Sequence, residues 1–477
     1  VNHGQSNGSM RNGNTDVIVI GGGVIGCWTA HYLLQRGCRV TIIERDLVGR
    51  GASGVNCGYV CPSHALPLCA PGAIRHSLPS LLTPGGALSI PMRFDPFLWK
   101  WLFHFATKCS ARHRDHAAPV RHGLLQASMQ LYRDYVNESD DGIDSGNTVA
   151  NSIDWERRGL LLVHRYQSSL DRYQATADDL QSRFAVHAER LDGSSICDLE
   201  PSLVHGLAGG WFFPNDAHLN PDRLICHLKE SILRRGGRFV EQTEVHEMVI
   251  AGGKVDGLKT SSGSFRADYY VLATGAEAPR FAKPLGCQIP IVPGKGYSMS
   301  FASGASSPVT PMIFEDSHVA VTPLAGHTRI GSTMQLTGYD RSVDAKRLKM
   351  IQKSAQSYLR HRLPQQPETS SAAWRPMVYD DLPCIDRSAT AHNAFVAAGN
   401  GMIGISTGTG TGRLIAEMIC GEEPFLDVEP FSLSRFNRAR KATSPPTSSF
   451  NEFPSGESIS SGQPASPIVN VFSPSRI

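Results

Sequence analysis

No stretch of this sequence reaches the roughly 18 consecutive apolar residues that a membrane-spanning helix needs, so no spanning helix is expected. An excess of one charge is also missing. Forty-six Lys and Arg stand against 43 Asp and Glu, a net +3, and no Lys/Arg run stands out, which argues against nucleic acid as a partner. The 11 cysteines are scattered, odd in number and form no CxxC…CxxC pair. Neither a disulfide framework nor a zinc site is expected, and reduced thiols in a cytoplasmic chain fit better. Cys57 and Cys61 have CxxxC spacing, but no matching His/Cys pair completes a metal site. There is no internal repeat of fixed period. Residues 1–14 are polar and Gly/Asn-rich without the apolar core of a secretion signal, and read as a disordered lead. Residues 441–477 are rich in Ser, Pro and Gly and read as a disordered tail, because they bury too little apolar surface to offset the entropy of ordering.

What is present is a 477-residue chain, 41% hydrophobic, with 46 Gly and 30 Pro. That is enough for a large core, two or three domains and many turns. The first strong strand is Asp16–Ile20. A Gly-rich turn, a helical stretch from Val24 to Arg36, Gly37 and a second strand, Arg39–Ile43, complete a β-α-β unit. Helical character runs from Leu98 to Arg133, from Leu170 to Arg183, from Pro221 to Arg235 and from Ala345 to Leu359. Short alternating strands crowd 238–273 and 298–332. Ala394–Ala398 is a last buried strand, and Gly412–Ile419 a last helix.

Gly21-Gly22-Gly23-Val24-Ile25-Gly26 is a GxGxxG between a strand and a helix. Gly21 permits the tight turn, Gly23 lets the backbone approach a pyrophosphate, and Gly26 lets helix and strand pack closely. Val24 and Ile25 open the helix, whose free N–H groups and partial positive charge suit phosphates. Glu44, at the end of the second strand, is placed to accept both ribose hydroxyls, with Arg45 beside it. These features suit NAD or FAD. A second small-residue loop, with Ala52, Ser53, Asn56 and Gly58, favours FAD, whose extended pyrophosphate and ribitol run past the first turn. Plain loop chemistry for Ser53 and Asn56 is the alternative. Val245 is counted with the cofactor residues, as are Thr274 and Gly275 at the end of an apolar strand. Gly399-Asn400-Gly401-Met402-Ile403-Gly404 is a second GxGxxG. Glu422 and Glu423 follow it at dinucleotide distance but in a turn. The preferred reading is a helix N-terminus aimed at a flavin ring.

These sites, in this order, resemble the FAD-dependent oxidoreductase family of D-amino acid oxidase, glycine oxidase and sarcosine oxidase, and within it the bacterial D-amino acid dehydrogenases. The resemblance spans about Asp16 to Phe436. It is carried further by Phe97-Leu98-Trp99-Lys100-Trp101 with Cys109, Pro214-Asn215-Asp216, Pro293-Gly294-Lys295-Gly296-Tyr297-Ser298, Arg329-Ile330-Gly331-Ser332-Thr333-Met334, and Trp374-Arg375-Pro376-Met377 with Asp380 and Pro383. The chain departs from the pattern at Asn400, where His is usual, and at Ser332, Gln335, Trp374 and Asp381.

The resemblance implies a two-domain α/β fold. A Rossmann-type FAD-binding domain is assembled from 15–150, 206–283 and 375–438, and an antiparallel β-rich substrate domain from 151–205 and 284–374. It implies non-covalent FAD and oxidative deamination of a small or cyclic D-amino acid such as D-alanine, D-proline or hydroxy-D-proline. Hydride passes from Cα to flavin N5, and electrons go to a quinone or another non-oxygen acceptor. An oxygen-using glycine/sarcosine-type oxidase and a non-catalytic assembly factor on the same fold are the alternatives. Arg375 is the expected carboxylate anchor, since a guanidinium fork is planar, charged and bidentate; a structural salt-bridge arginine is its alternative. Tyr297 lines the substrate pocket or is a core aromatic, and His318 is equally ambiguous. Phe97–Phe105 either dips into a membrane surface, giving a peripheral place on its inner face, or packs on the flavin domain.

Overall fold

The structure is a computed structural model and describes residues 15–74, 88–90, 94–137 and 148–437. The expected lead and tail lie outside these residues, as does part of the loop region between Ala65 and Pro96.

A six-stranded sheet organises the cofactor side, in the order Cys384–Arg387, Ala394–Ala398, Tyr269–Leu272, Asp16–Ile20, Arg39–Ile43, Arg238–Val240. All neighbours are parallel except the edge strand Cys384–Arg387. Its central strands read as nearly unbroken apolar runs because both faces are covered. Val17, Val19, Val40, Ile42 and Val271 pack with helices Val24–Gln35, Ala111–Asn137 and Gly404–Cys420. Ile18, Ile20, Ile43, Tyr270 and Leu272 pack with the three-stranded meander 245–265.

The second large sheet runs Thr369–Val378, Ile291–Ala302, His327–Gln335, Val319–Leu324, Met312–Phe314, Leu160–His164, Gly209–Phe213, Glu189–Asp192, with Leu88–Ser89 beside His327–Gln335. It is antiparallel except where Met312–Phe314 meets Leu160–His164 and Leu88–Ser89 meets Gln335. Thr369–Val378 has no strong strand signal in the sequence and contains Pro376. It sits at the sheet's end, where a missing N–H breaks no ladder. Gly209–Phe213, grouped from sequence with the FAD-binding segments, pairs in this sheet, and Thr369–Val378 runs unbroken through 375. A division after 213 and after 378 follows the sheets better.

Two helices differ from expectation. The stretch 98–133 is two helices, Pro96–Lys108 and Ala111–Asn137. Asp95 caps the first through the Leu98 N–H, and Ser110 starts the second by accepting from the His113 N–H at 3.3 Å. The last helix begins at Gly404, eight residues before Gly412. Its Gly408, Gly410 and Gly412 have poor helix propensity, but close packing needs them. A Cβ at Gly412 would lie 2.7 Å from the Thr29 nitrogen, and one at Gly410 2.6 Å from Ser128 Oγ. Tertiary contact overrides local preference here.

Candidate active site

The first glycine-rich turn is built by close backbone approach. Gly21 has φ +108°, and a Cβ there would lie 2.5 Å from the Ala273 carbonyl oxygen. A Cβ on Gly26 would lie 2.0 Å from the Gly21 oxygen. Helix Val24–Gln35 has no side-chain cap of its own, and Ser53 Oγ accepts from the Val24 N–H at 2.9 Å instead. The second loop is thereby pinned to the first turn. Glu44 accepts from the Gly22 N–H at 2.7 Å and from the Asp46 N–H at 2.8 Å. These bonds orient its carboxylate and leave further lone pairs for a ligand. Arg45 is already engaged, by Glu277 at 2.6 Å and Asp46 at 3.3 Å.

A cavity of about 1090 Å³ opens from this turn toward the large sheet. Every cofactor residue chosen from sequence lines it except Gly26 and Gly58; Arg375 and Tyr297 line it too. Gly26 acts by packing, as its spacing suggests. Gly58 is a structural turn: its φ is +83°, and a Cβ would lie 2.0 Å from the Leu219 oxygen. Asn56 lines the cavity, but its Oδ1 accepts from the Gly58 N–H at 2.7 Å, so loop chemistry accounts for that oxygen.

The cavity wall carries buried polar atoms with no protein partner: Thr274 Oγ1, Thr333 Oγ1 and Asn400 Oδ1. Leaving them dry and unpaired would each cost about 1–3 kcal/mol, so the wall fits a ligand rich in hydroxyls, amides and phosphates. FAD has that chemistry, and the Gly21–Gly26 cradle fits its pyrophosphate. Asn400 is held in place by Nδ2 bonds to Thr407 and Thr411, both 3.0 Å, in the turn that opens helix Gly404–Cys420. Gly399 and Gly401, with φ +82° and +54°, turn the chain from strand to helix. Glu422 holds Arg36, and neither Glu422 nor Glu423 lines the cavity, so this second glycine motif has no ribose-binding acid there.

Arg375 lies on Thr369–Val378 opposite Gly294. It is partly buried, and burial lowers its pKa from the usual arginine value. Nη1 donates to the Thr333 carbonyl at 2.6 Å. No carboxylate pairs with it among the described residues. Gly296 makes room for it: a Cβ there would lie 2.4 Å from Cζ and from both terminal nitrogens. The salt-bridge alternative does not describe this residue. Tyr297 is placed in both ways expected of it: it lines the cavity, and it also packs in the apolar cluster of the large sheet with its hydroxyl bonded to Gln335 at 2.8 Å.

His318 lines the cavity from a left-handed turn, φ +52°. A further group, of which Cys61 and His64 line the cavity and Asp216 lies behind them, is not singled out by the sequence, although Cys61 and Asp216 both lie in quoted motifs. Donor atoms of Cys61, His64 and Asp216 lie within 4.8 Å of one another. Ser63 gives both its N–H and its hydroxyl to Asp216. Burial pushes Asp216 up to about 7 and His64 down to about 4. The folded chain therefore holds a proton on Asp216 that the unfolded chain releases near 3.8. Asp216 stabilises most below that pH, and its contribution falls as pH rises to about 7. Asp216→Asn has no such titration, so its Tm relative to the parent should climb between pH 4 and 7.5. A constant difference in thermal melts would show that Asp216 ionises normally.

The model for FAD dependent oxidoreductases (DAO) matches residues 16–418. The D-amino acid dehydrogenase of Granulibacter bethesdensis is 29% identical over 430 residues, covering 88% of this chain and 99% of the relative. That of Bradyrhizobium diazoefficiens is 30% identical over 440 residues, covering 88% and 98%. Among solved structures, glycine oxidase from Geobacillus kaustophilus superposes with TM-score 0.68 at 23% identity, covering 89% of this chain and 99% of the other. L-proline dehydrogenase from P. horikoshii gives 0.64 at 18%, covering 90% and 99%. The fold, the glycine cradle and the match over most of the chain agree: this protein belongs to the DAO family of FAD-dependent oxidoreductases.

Proposed function

We propose that the protein oxidises a small or cyclic D-amino acid, such as D-alanine, D-proline or hydroxy-D-proline, to the imino acid, which water converts to the 2-oxo acid. The observation that carries this is Arg375, a partly buried guanidinium in the cavity wall with no carboxylate partner among the described residues. A buried cation without a counter-ion calls for an anionic ligand, and its fork matches a carboxylate. The relatives named D-amino acid dehydrogenase support the substrate class. When bound, FAD accepts the two electrons and the hydrogen of the Cα–H bond. The Gly21–Gly26 turn would hold its pyrophosphate, Glu44 would take ribose hydroxyls, and Asn400 and the N-terminus of Gly404–Cys420 would stand on the side of its ring. Arg375 would fix the substrate carboxylate and so help to orient the Cα–H bond toward the cofactor.

The test is anaerobic addition of D- and L-amino acids to the flavin-loaded protein. D-alanine or D-proline should bleach the flavin band, L-enantiomers should not, and air should reoxidise it slowly while a quinone does so fast. Rapid reoxidation with peroxide release would replace the dehydrogenase by the oxidase. A flavin that no amino acid reduces would refute the catalytic reading.

The quinone acceptor goes with a peripheral membrane contact, supported by helix Pro96–Lys108. Leu98 and Trp101 are buried, whereas Phe97, Trp99 and Phe103 are 50%, 52% and 66% exposed, with Phe94 at 95% just before them. No helix of the described residues is long and apolar enough to cross a membrane. Trp99→Ser with Phe103→Ser should lower cosedimentation with anionic phospholipid vesicles about tenfold or more, since each ring transfers with about 1.5–3 kcal/mol. Equal cosedimentation would remove this contact.

A further inference from the structure

Two thiols outside the cavity are placed for a reaction of their own. Cys38 Sγ and Cys420 Sγ lie 4.0 Å apart, although 382 residues separate them in sequence. The approach is clamped by flanking charge. Arg36 Nε and Nη2 each donate to the Glu422 carboxylate at 2.8 Å, and Glu417 Oε1 lies 3.6 Å from Nη2. The segments on either side of the thiols are thus tied together. Each thiol also neighbours a left-handed glycine, Gly37 at φ +79° and Gly421 at φ +71°, with nothing within 4 Å of where a Cβ would stand. The sulfurs can therefore close the remaining gap to bonding distance by small turn adjustments. Cys38 is 8% exposed and Cys420 partly exposed, which admits a reagent as small as a peroxide.

The position gives the pair a consequence. Cys38 follows the C-terminus of Val24–Gln35, and Cys420 ends Gly404–Cys420. Both helices begin at the cofactor cavity. They pack against each other where Gly408 and Gly412 meet Trp28. We propose that Cys38 and Cys420 are a peroxide-oxidisable dithiol whose disulfide staples together the far ends of the two helices that cradle the cofactor.

The chemistry balances with hydrogen peroxide as the oxidant. The Cys38 thiolate attacks one peroxide oxygen; an S–O bond forms, the O–O bond breaks and hydroxide leaves. The Cys420 sulfur then attacks the sulfenic sulfur; the S–S bond forms, the S–O bond breaks, and the departing oxygen leaves as water with the Cys420 proton. Two thiols give up two electrons and one peroxide becomes two waters. The Arg36 charge favours a thiolate at this pair, and the two sulfurs can exchange the roles of attacker and resolver without changing the balance.

The experiment uses the full flavin-loaded chain. It is treated with a few equivalents of hydrogen peroxide, alkylated under denaturing conditions and peptide-mapped, with a parallel thermal melt. A Cys38–Cys420 linked peptide pair is expected, with an apparent Tm raised by about 3–8 °C and restored by dithiothreitol. Cys38→Ala and Cys420→Ala should each abolish both effects while leaving the parent spectrum of bound flavin. Recovery of Cys38 and Cys420 alkylated, separately oxygenated or linked to other cysteines, while the exposed Cys226 is oxidised, would overturn the proposal.

Discussion

Arg375→Ala should lower kcat/KM for a D-amino acid about 1,000-fold, close to 4 kcal/mol, the usual loss when one partner of a desolvated, hydrogen-bonded charge pair is removed. The flavin spectrum should not change, because the nearest interactions of Arg375 are with Thr333 and the Gly296 gap and not with the glycine cradle. Arg375→Lys keeps the charge but loses the fork, and should recover only part of the rate. Gly296→Ala is the sharper companion. Its methyl would occupy the space of the guanidinium, so it should raise KM with FAD retained. Stopped-flow reduction of the flavin separates these effects. An Arg375→Ala enzyme reduced at the parent rate would remove the reason for reading the cavity as an amino-acid site.

Gly26→Ala should be more damaging still, to structure and cofactor together. The added Cβ would stand 2.0 Å from the Gly21 carbonyl oxygen and 3.3 Å from the Val19 side chain. Neither can retreat, because Gly21 is held to Ile43 by its N–H at 2.8 Å and Val19 is in the central strand. The helix must move away from the turn, which separates the Ser53–Val24 bond from the phosphate site. We expect about 3 kcal/mol of lost stability and FAD affinity down by at least about 100-fold, since the helix N-terminus no longer aims at the pyrophosphate. Gly123→Ala is the control. It lies in a helix with nothing within 4 Å of the new methyl, and should be neutral or slightly stabilising. Chemical denaturation and flavin titration read both. Gly26→Ala with parent stability and tight FAD would show that the turn does not cradle the cofactor.

The resemblance to amino-acid oxidoreductases could be read because its signals are short in sequence. Strand, glycine turn, helix and strand with Glu44 lie within 30 residues, and each glycine's reason is a neighbour a few positions away or one strand across. Apolar runs on the central strands report burial on both faces without any knowledge of what covers them. The family motifs likewise quote local strings.

Other features could not be read this way. The Gly/Thr-rich stretch before Gly412 has weak helical signal and becomes helix because Trp28 and Ser128 press against it. Tyr297 and Gly296 are adjacent in one motif; only the structure shows that the first packs in the apolar cluster as well as lining the cavity, and that the second makes room for Arg375. Thr369–Val378, with its proline, is a strand only because it found a sheet edge.

By itself, then, the sequence determined the cofactor-binding unit, the alternation of strands and helices, and, through the resemblance, Arg375 as the candidate anchor. Only the tertiary structure decided which side of the large sheet faces the cavity, that Arg375 has no carboxylate partner among the described residues, and that Cys38 meets Cys420. The reason is physical. Local patterns record backbone preference and burial, whereas the partner of a charge or a thiol is set by chain segments hundreds of residues away.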